Sequence, residues 1–445
     1  MKPRTNLAAY ARLAAVLLVA TATPQAYAEH AATDEAAPNV LAFVGATIHP
    51  VSSPPIEDGL LVVEGHAIRH VGPAGEPPAG ARVIDAAGTH LYPGIIAPYT
   101  HLGLVEIEAV RATRDFAETG AINPNAMAHK AFNPDSELIG VTRSNGILLA
   151  LTAPLSGRVP GTSSLMQLDG WTWEEMLVQP AVGMHLNWPP AKPRRRFGRG
   201  DDDDKKQDQP DPIAQLDDLF DKAAAYAAER EAAGPGAPPL GVDLRLEAML
   251  PVIRGERKLI VTAEGQAEIE AAVAFCVRRG LKMILHGGYD APRCAALLKE
   301  HGVPVIVGGV YRLPRRRHEP YDHAYTVPAR LHEAGVPFCI AASDTFLASN
   351  ARNLPYHAAM AAGFGLPADE ALKSITLHAA EILGVADRVG SLEPGKHATL
   401  ILTDGDPLET TTQVQRAFVQ GAEVNLTDRH KQLYQRYRQR PLGKR

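Results

Sequence analysis

Cysteine is scarce. The 445 residues hold three, Cys276, Cys294 and Cys339, with no Cys-x-x-Cys spacing. An odd, unpaired set excludes a disulfide-stapled fold and a cysteine zinc site, and leaves buried reduced thiols. Positive charge is not in surplus: 45 Lys and Arg stand against 50 Asp and Glu, net −5. The basic footprint of a nucleic-acid-binding protein is therefore missing. There is no Gly-x-Gly-x-x-Gly, no P-loop and no Gly-x-Ser-x-Gly elbow. Dinucleotide binding, phosphate cradling and serine-hydrolase chemistry thus lack their usual motifs. Past residue 28 no apolar run approaches the ~20 residues that span a bilayer. What remains is a chain with 45% hydrophobic and 21% charged residues. That is ordinary globular composition, with length for one large barrel and an appendage.

Residues 1–28 read as a secretory signal. Lys2, Arg4 and Arg12 precede the apolar run Leu13–Ala20, and Ala26-Tyr27-Ala28 is a small-x-small cleavage site. Export to the periplasm or outside is expected, with no membrane span after signal removal.

Short apolar runs at 40–44, 60–63 and 67–71 are punctuated by Glu64-Gly65-His66, a turn signature. Residues 398–424 repeat that character around Gln420-Gly421. Neither set buries a face alone, so residues 36–90 and 388–426 are read as the halves of one discontinuous β-sandwich domain. Between them, residues 91–387 alternate apolar strands with helical patterns. Eight strands are expected, at 91–96, 146–151, 164–168, 182–186, 259–263, 282–285, 303–307 and 338–342. Near-continuous apolar strands flanked by helices mean a parallel sheet, and eight units mean an α/β fold of the TIM-type (β/α)8 barrel class. A charged run within about 190–215, Arg194 to Lys206, interrupts this as a solvated loop. Residues 427–445 are expected to form a C-terminal helix and tail.

Reactive groups of a barrel sit at the carboxyl ends of its strands. The first strand ends Pro98-Tyr99-Thr100-His101, where Tyr99 and His101 share a face. The sixth ends Leu285-His286-Gly287-Gly288, and the eighth Ala342-Ser343-Asp344. With Pro93-Gly94-Ile95-Ile96 before the first-strand pair and Gly390-Ser391-Leu392-Glu393-Pro394-Gly395-Lys396 on re-entry to the small domain, the chain resembles the amidohydrolase superfamily, specifically its exported imidazolonepropionase-like branch. The resemblance implies a metal-dependent hydrolase acting on non-peptide C–N bonds, often of cyclic amides, through metal-activated water.

In that family the first strand supplies His-x-His, the fifth and sixth strands one His each, and the eighth an Asp. Here Tyr99 replaces the first His and Thr262 the fifth-strand His. The resemblance thus implies one divalent metal, zinc, held by His101, His286 and Asp344. Asp344 and His286 are the expected catalytic residues. Tyr99, Thr262, His185 and Arg111 are expected to contact a small-molecule substrate. The segment 103–142 is too long for a plain loop and reads as a lid. Pro160–Ser164 offers backbone N–H groups and hydroxyls to an anion. His318–His323 does not read as a zinc helix, because Pro320 interrupts it. Pairing into a homodimer is expected of such barrels. Two rival readings stay open: a metal-free binding protein on a degenerate scaffold, and metal-free hydrolysis by His286 with Asp344.

Overall fold

The computed structural model describes residues 40–191, 211–232, 241–342 and 347–440. The expected signal segment, the charged run 194–206 and Asp344 lie outside the described residues. The described part opens with β1 (Val40–Ile48), β2 (Ile56–Glu64), β3 (Ala67–Gly72), β4 (Arg82–Asp85) and β5 (His90–Pro93). The next eight strands are β6 (Ile95–Thr100), β7 (Ile147–Thr152), β8 (Gly161–Gln167), β9 (Leu177–Asn187), β10 (Lys258–Ala263), β11 (Met283–Gly287), β12 (Val305–Val307) and β13 (Phe338–Ile340). Then come β14 (Leu400–Thr403), β15 (Val414–Val419) and β16 (Ala422–Val424).

The first group and the last join in one eight-stranded sheet, ordered β16-β15-β14-β5-β1-β2-β3, with β4 on β1. Its core includes Phe43, Leu61, Leu400 and Phe418. The rings of Phe43 and Phe418 meet edge-on at 5.0 Å, so the two ends of the chain share one apolar seam. The expected two halves are thus continuous strands of a single sheet.

Strands β6 to β13 form the second sheet in unbroken sequence order, a nearly closed barrel. Two expectations are corrected here. The strand expected at 91–96 is two strands in different sheets, with Gly94 at the handover. A Cβ there would meet Leu148 at 2.9 Å and Thr399 at 3.0 Å. The sheet is also not wholly parallel, because β8 runs antiparallel to β7 and to β9. The cause is connection length. Only residues 153–160 separate β7 from β8, while a parallel crossover needs about a dozen residues or more. Residues 161–164 are therefore buried strand. The Ser164 hydroxyl pairs with His129 Nδ1 at 2.8 Å, so the anion-binding loop expected there is absent.

Helices cover the outside of the later strands. In the helix Gln266–Arg278, Ile269, Ala272, Val273 and Cys276 are buried on one face, at helical spacing. The helix Pro212–Ala232 buries Leu216, Leu219, Phe220 and Ala223 against the barrel's outer core. The helix Arg429–Arg438 has no buried residue. All three cysteines are free and buried. Among the described residues no helix is long and apolar enough to cross a membrane.

Candidate active site

Four rings meet at the carboxyl ends of β6, β9 and β11, two of them from the end of β6. Tyr99 on β6 stacks on His286 of β11, with centroids 3.7 Å apart and planes 16° from parallel. Its centroid lies 5.7 Å from that of His185 on β9 and 5.8 Å from that of His101. All four side chains are buried over an apolar floor that includes Ile96, Leu149, Leu151, Ile260 and Ile284. The period-2 alternation of the strands puts them there: Tyr99 and His101 are i and i+2, and Thr262 stands opposite His286 in the parallel ladder.

Hydrogen bonds fix two of the imidazoles. His101 Nδ1 lies 2.7 Å from the carbonyl oxygen of Ala153. A carbonyl only accepts, so Nδ1 carries the proton and Nε2 presents a lone pair. That Nε2 is buried with no hydrogen-bond partner among the described residues. His286 Nδ1 pairs with the Thr262 hydroxyl at 3.1 Å. Among the described residues His185 has no partner at either ring nitrogen, and both are buried. Burial is the chief cause holding all three imidazoles neutral: it lowers His101 to about 4 and His185 and His286 to about 3. Burial also pushes the Tyr99 hydroxyl up, so at neutral pH the four rings carry no charge.

The segment after β6 folds over this cluster through two short 3-10 turns, Arg111–Thr113 and Ala128–Ala131. The ring of Phe116 comes within 5.4 Å of His101. Gly103, at φ +78°, lets the chain pass over Phe132, whose ring would lie 2.3 Å from a Cβ. Arg111, in the first of these turns, is exposed.

One neighbouring pair goes unread in the sequence. Glu264 accepts from both terminal nitrogens of Arg312, at 2.9 and 3.1 Å, and from the Tyr289 backbone N–H at 3.1 Å. Its carboxyl group lies against Gly287, directly beyond His286. The signal was available, since Glu264 is two residues beyond Thr262 as His101 is beyond Tyr99.

Whether these donors suit a divalent ion can be tested on the geometry. In kind they fit: neutral imidazoles, two of them with orphaned buried nitrogens, which cost ~1–3 kcal/mol unless something satisfies them. In placement they fit only in part. Among the described residues, His101, His185 and His286 do not bring one nitrogen each within 4.8 Å of one another, whereas Asp290, Glu319 and His323 do bring their ligand atoms that close. Tyr99 lies against His286, and Thr262 engages the same ring.

Residues 254–424 match the model of the amidohydrolase family. Amidohydrolase tasK of Hapsidospora irregularis is 23% identical over 386 residues, 78% of this chain and 38% of that protein. Imidazolonepropionase of Erwinia tasmaniensis is 34% identical over 119 residues, 26% of this chain and 28% of that enzyme. The chain thus spans well under half the length of these two relatives. The crystal structure of an amidohydrolase from Thermotoga maritima superposes with a TM-score of 0.78 at 26% identity, covering 86% of this chain and 99% of that one.

Proposed function

The chain belongs to the amidohydrolase superfamily, and on that premise we propose that its barrel mouth hydrolyses a non-peptide C–N bond of a small molecule such as a cyclic amide. The observation that carries the proposal is the pair of buried, orphaned imidazoles, His101 and His185, beneath the segment after β6. A site built only for stability would leave no such nitrogens without partners.

In the reaction, water oxygen bonds to the carbonyl carbon, the C–N bond breaks, and the leaving nitrogen gains a proton. The residues that would hold a divalent ion are His101 and His185, with Asp344 as the expected third ligand. Such an ion, zinc by its liking for imidazole, supplies activated water and a polarised carbonyl when bound. Ala153 fixes the His101 tautomer that leaves Nε2 free to accept. Tyr99 and Phe116 keep bulk water from the rings. Export of the chain and a small-molecule partner, rather than nucleic acid, belong to the same reading.

Turnover of a panel of cyclic amides and amidines tests the proposal. His101→Ala and His185→Ala should each lower kcat/KM at least about 100-fold, the scale of a lost catalytic group, with unchanged circular dichroism. Unchanged turnover in both variants overturns it. A second reading rests on Tyr99 and Thr262 engaging His286: a binding protein that holds such amides without hydrolysing them. It requires tight amide binding, no turnover, and no response to chelator.

A further inference from the structure

Outside the four-ring cluster, another group of side chains faces inward without serving the mouth. Asp290 follows β11 by three residues, and Glu319 and His323 lie on the segment between β12 and the helix Val327–Ala334. One carboxylate oxygen of each acid and one ring nitrogen of His323 lie within 4.8 Å of one another. The side chains of Asp290 and Glu319 are 0% and 1% exposed, and His323 is 5% exposed.

The acids are neutralised by Arg316, which donates to both carboxylates and is itself 35% exposed. Arg293 Nε lies 3.7 Å from Asp290, and the Gln266 N–H donates to Asp290 at 3.1 Å. Glu319 also accepts from the Tyr289 hydroxyl and from the backbone N–H groups of Arg315 and Arg316. A guanidinium has donors only, so it serves carboxylates but cannot satisfy an imidazole lone pair. His323 Nε2 is buried and has no partner among the described residues. The ring is stacked on Tyr289 at 4.6 Å, which restricts its turning away.

We propose that Asp290, Glu319 and His323 form a divalent-cation site, separate from the mouth, in which Arg316 is the competing cation. Two oxygens and one imidazole nitrogen suit Zn2+ or Mn2+. Arg316 reaches in from the solvent side and can swing outward, so the ion and the guanidinium exclude each other. Filling the site links the loop after β11 to the loop after β12 by ligand bonds, only four residues from His286.

Zn2+ titration calorimetry on a His101→Ala/His185→Ala double variant tests this apart from the mouth chemistry. One equivalent should bind. Adding Arg316→Gln should tighten it at least about tenfold, because the competing charge is gone. Adding His323→Ala to the double variant should abolish it. The absence of binding in the double variant both with and without Arg316→Gln overturns the proposal, as does binding that His323→Ala leaves unchanged. Should the double variant fold poorly, His323→Ala in the otherwise unaltered chain must lose one Zn2+ equivalent. It must also change the visible absorption of the Co2+-loaded protein. Retention of that equivalent and of the spectrum overturns the proposal equally.

Discussion

His185 states the problem of the site in one side chain. Both its ring nitrogens are buried and unpartnered among the described residues, and burial and the nearby His101 ring keep it neutral. Such a group is a burden to the fold and is tolerated where something else uses it. His185→Leu should therefore raise the stability of the chelator-treated protein by about 1 kcal/mol, read as a higher urea midpoint, while abolishing turnover. A midpoint that falls by as much would mean that the imidazole has a structural partner. Thr262→Val should cost about 1 kcal/mol, because it removes the hydrogen bond that orients His286. At this scale the sequence was partly legible. Strand-end position and alternation selected Tyr99, His101 and His286, the family resemblance added Thr262 and His185, and the fold brings all five together. Arg111 was chosen from its place on the long segment after the first strand, and its side chain is exposed. The stacking of Tyr99 on His286 joins residues nearly two hundred positions apart, and no local pattern encodes such a contact.

Among the elements, β8 sets the site's register. Gly161 stands opposite His185 in the antiparallel ladder, at φ +129°, and a Cβ there would lie 2.5 Å from the carbonyl oxygen of Ala126. Gly161→Ala must strain the backbone or push β8 away from β9. A loss of about 2 kcal/mol or more is expected in chemical denaturation, with reduced turnover because His185 moves. Stability and turnover both within error of the parent chain would show that β8 does not position His185. The later strands were legible because each is an apolar run separated from the next by a helical pattern. The direction of β8 was not legible, because the apolar runs at 146–151 and 164–168 leave about a dozen residues between them, enough for a crossover, and only the earlier start of β8 at Gly161 shortens the connection to 153–160. Nor was the break between β5 and β6, since Leu91–Ile96 is one apolar run and only the close approach of Leu148 and Thr399 shows why Gly94 divides it.

The whole molecule carries an acid liability that follows from where its histidines lie. His49, beside His90 in the sheet built from both chain ends, is lowered to about 4, chiefly by burial and then by the neighbouring ring. His101 is lowered to about 4, and His185 and His286 to about 3. In the unfolded chain each titrates near 6.5. Between pH 6.5 and 4 the unfolded state therefore binds more protons than the native state, and stability falls as pH falls. Above pH 6.5 both states are neutral at these rings and the contribution is complete. Each of the three buried mouth imidazoles adds a slope of up to about 1.4 kcal/mol per pH unit across that window. In chelator, the urea midpoint should be nearly flat from pH 8 to 6.5 and drop steeply by pH 4.5. His185→Leu should make the drop shallower without altering the midpoint's pH dependence above 6.5, because a leucine takes up no proton in either state. A midpoint level from pH 7 to 4.5 would mean that these rings are protonated and paired in the native protein, which would also remove the lone pairs on which the hydrolytic reading rests.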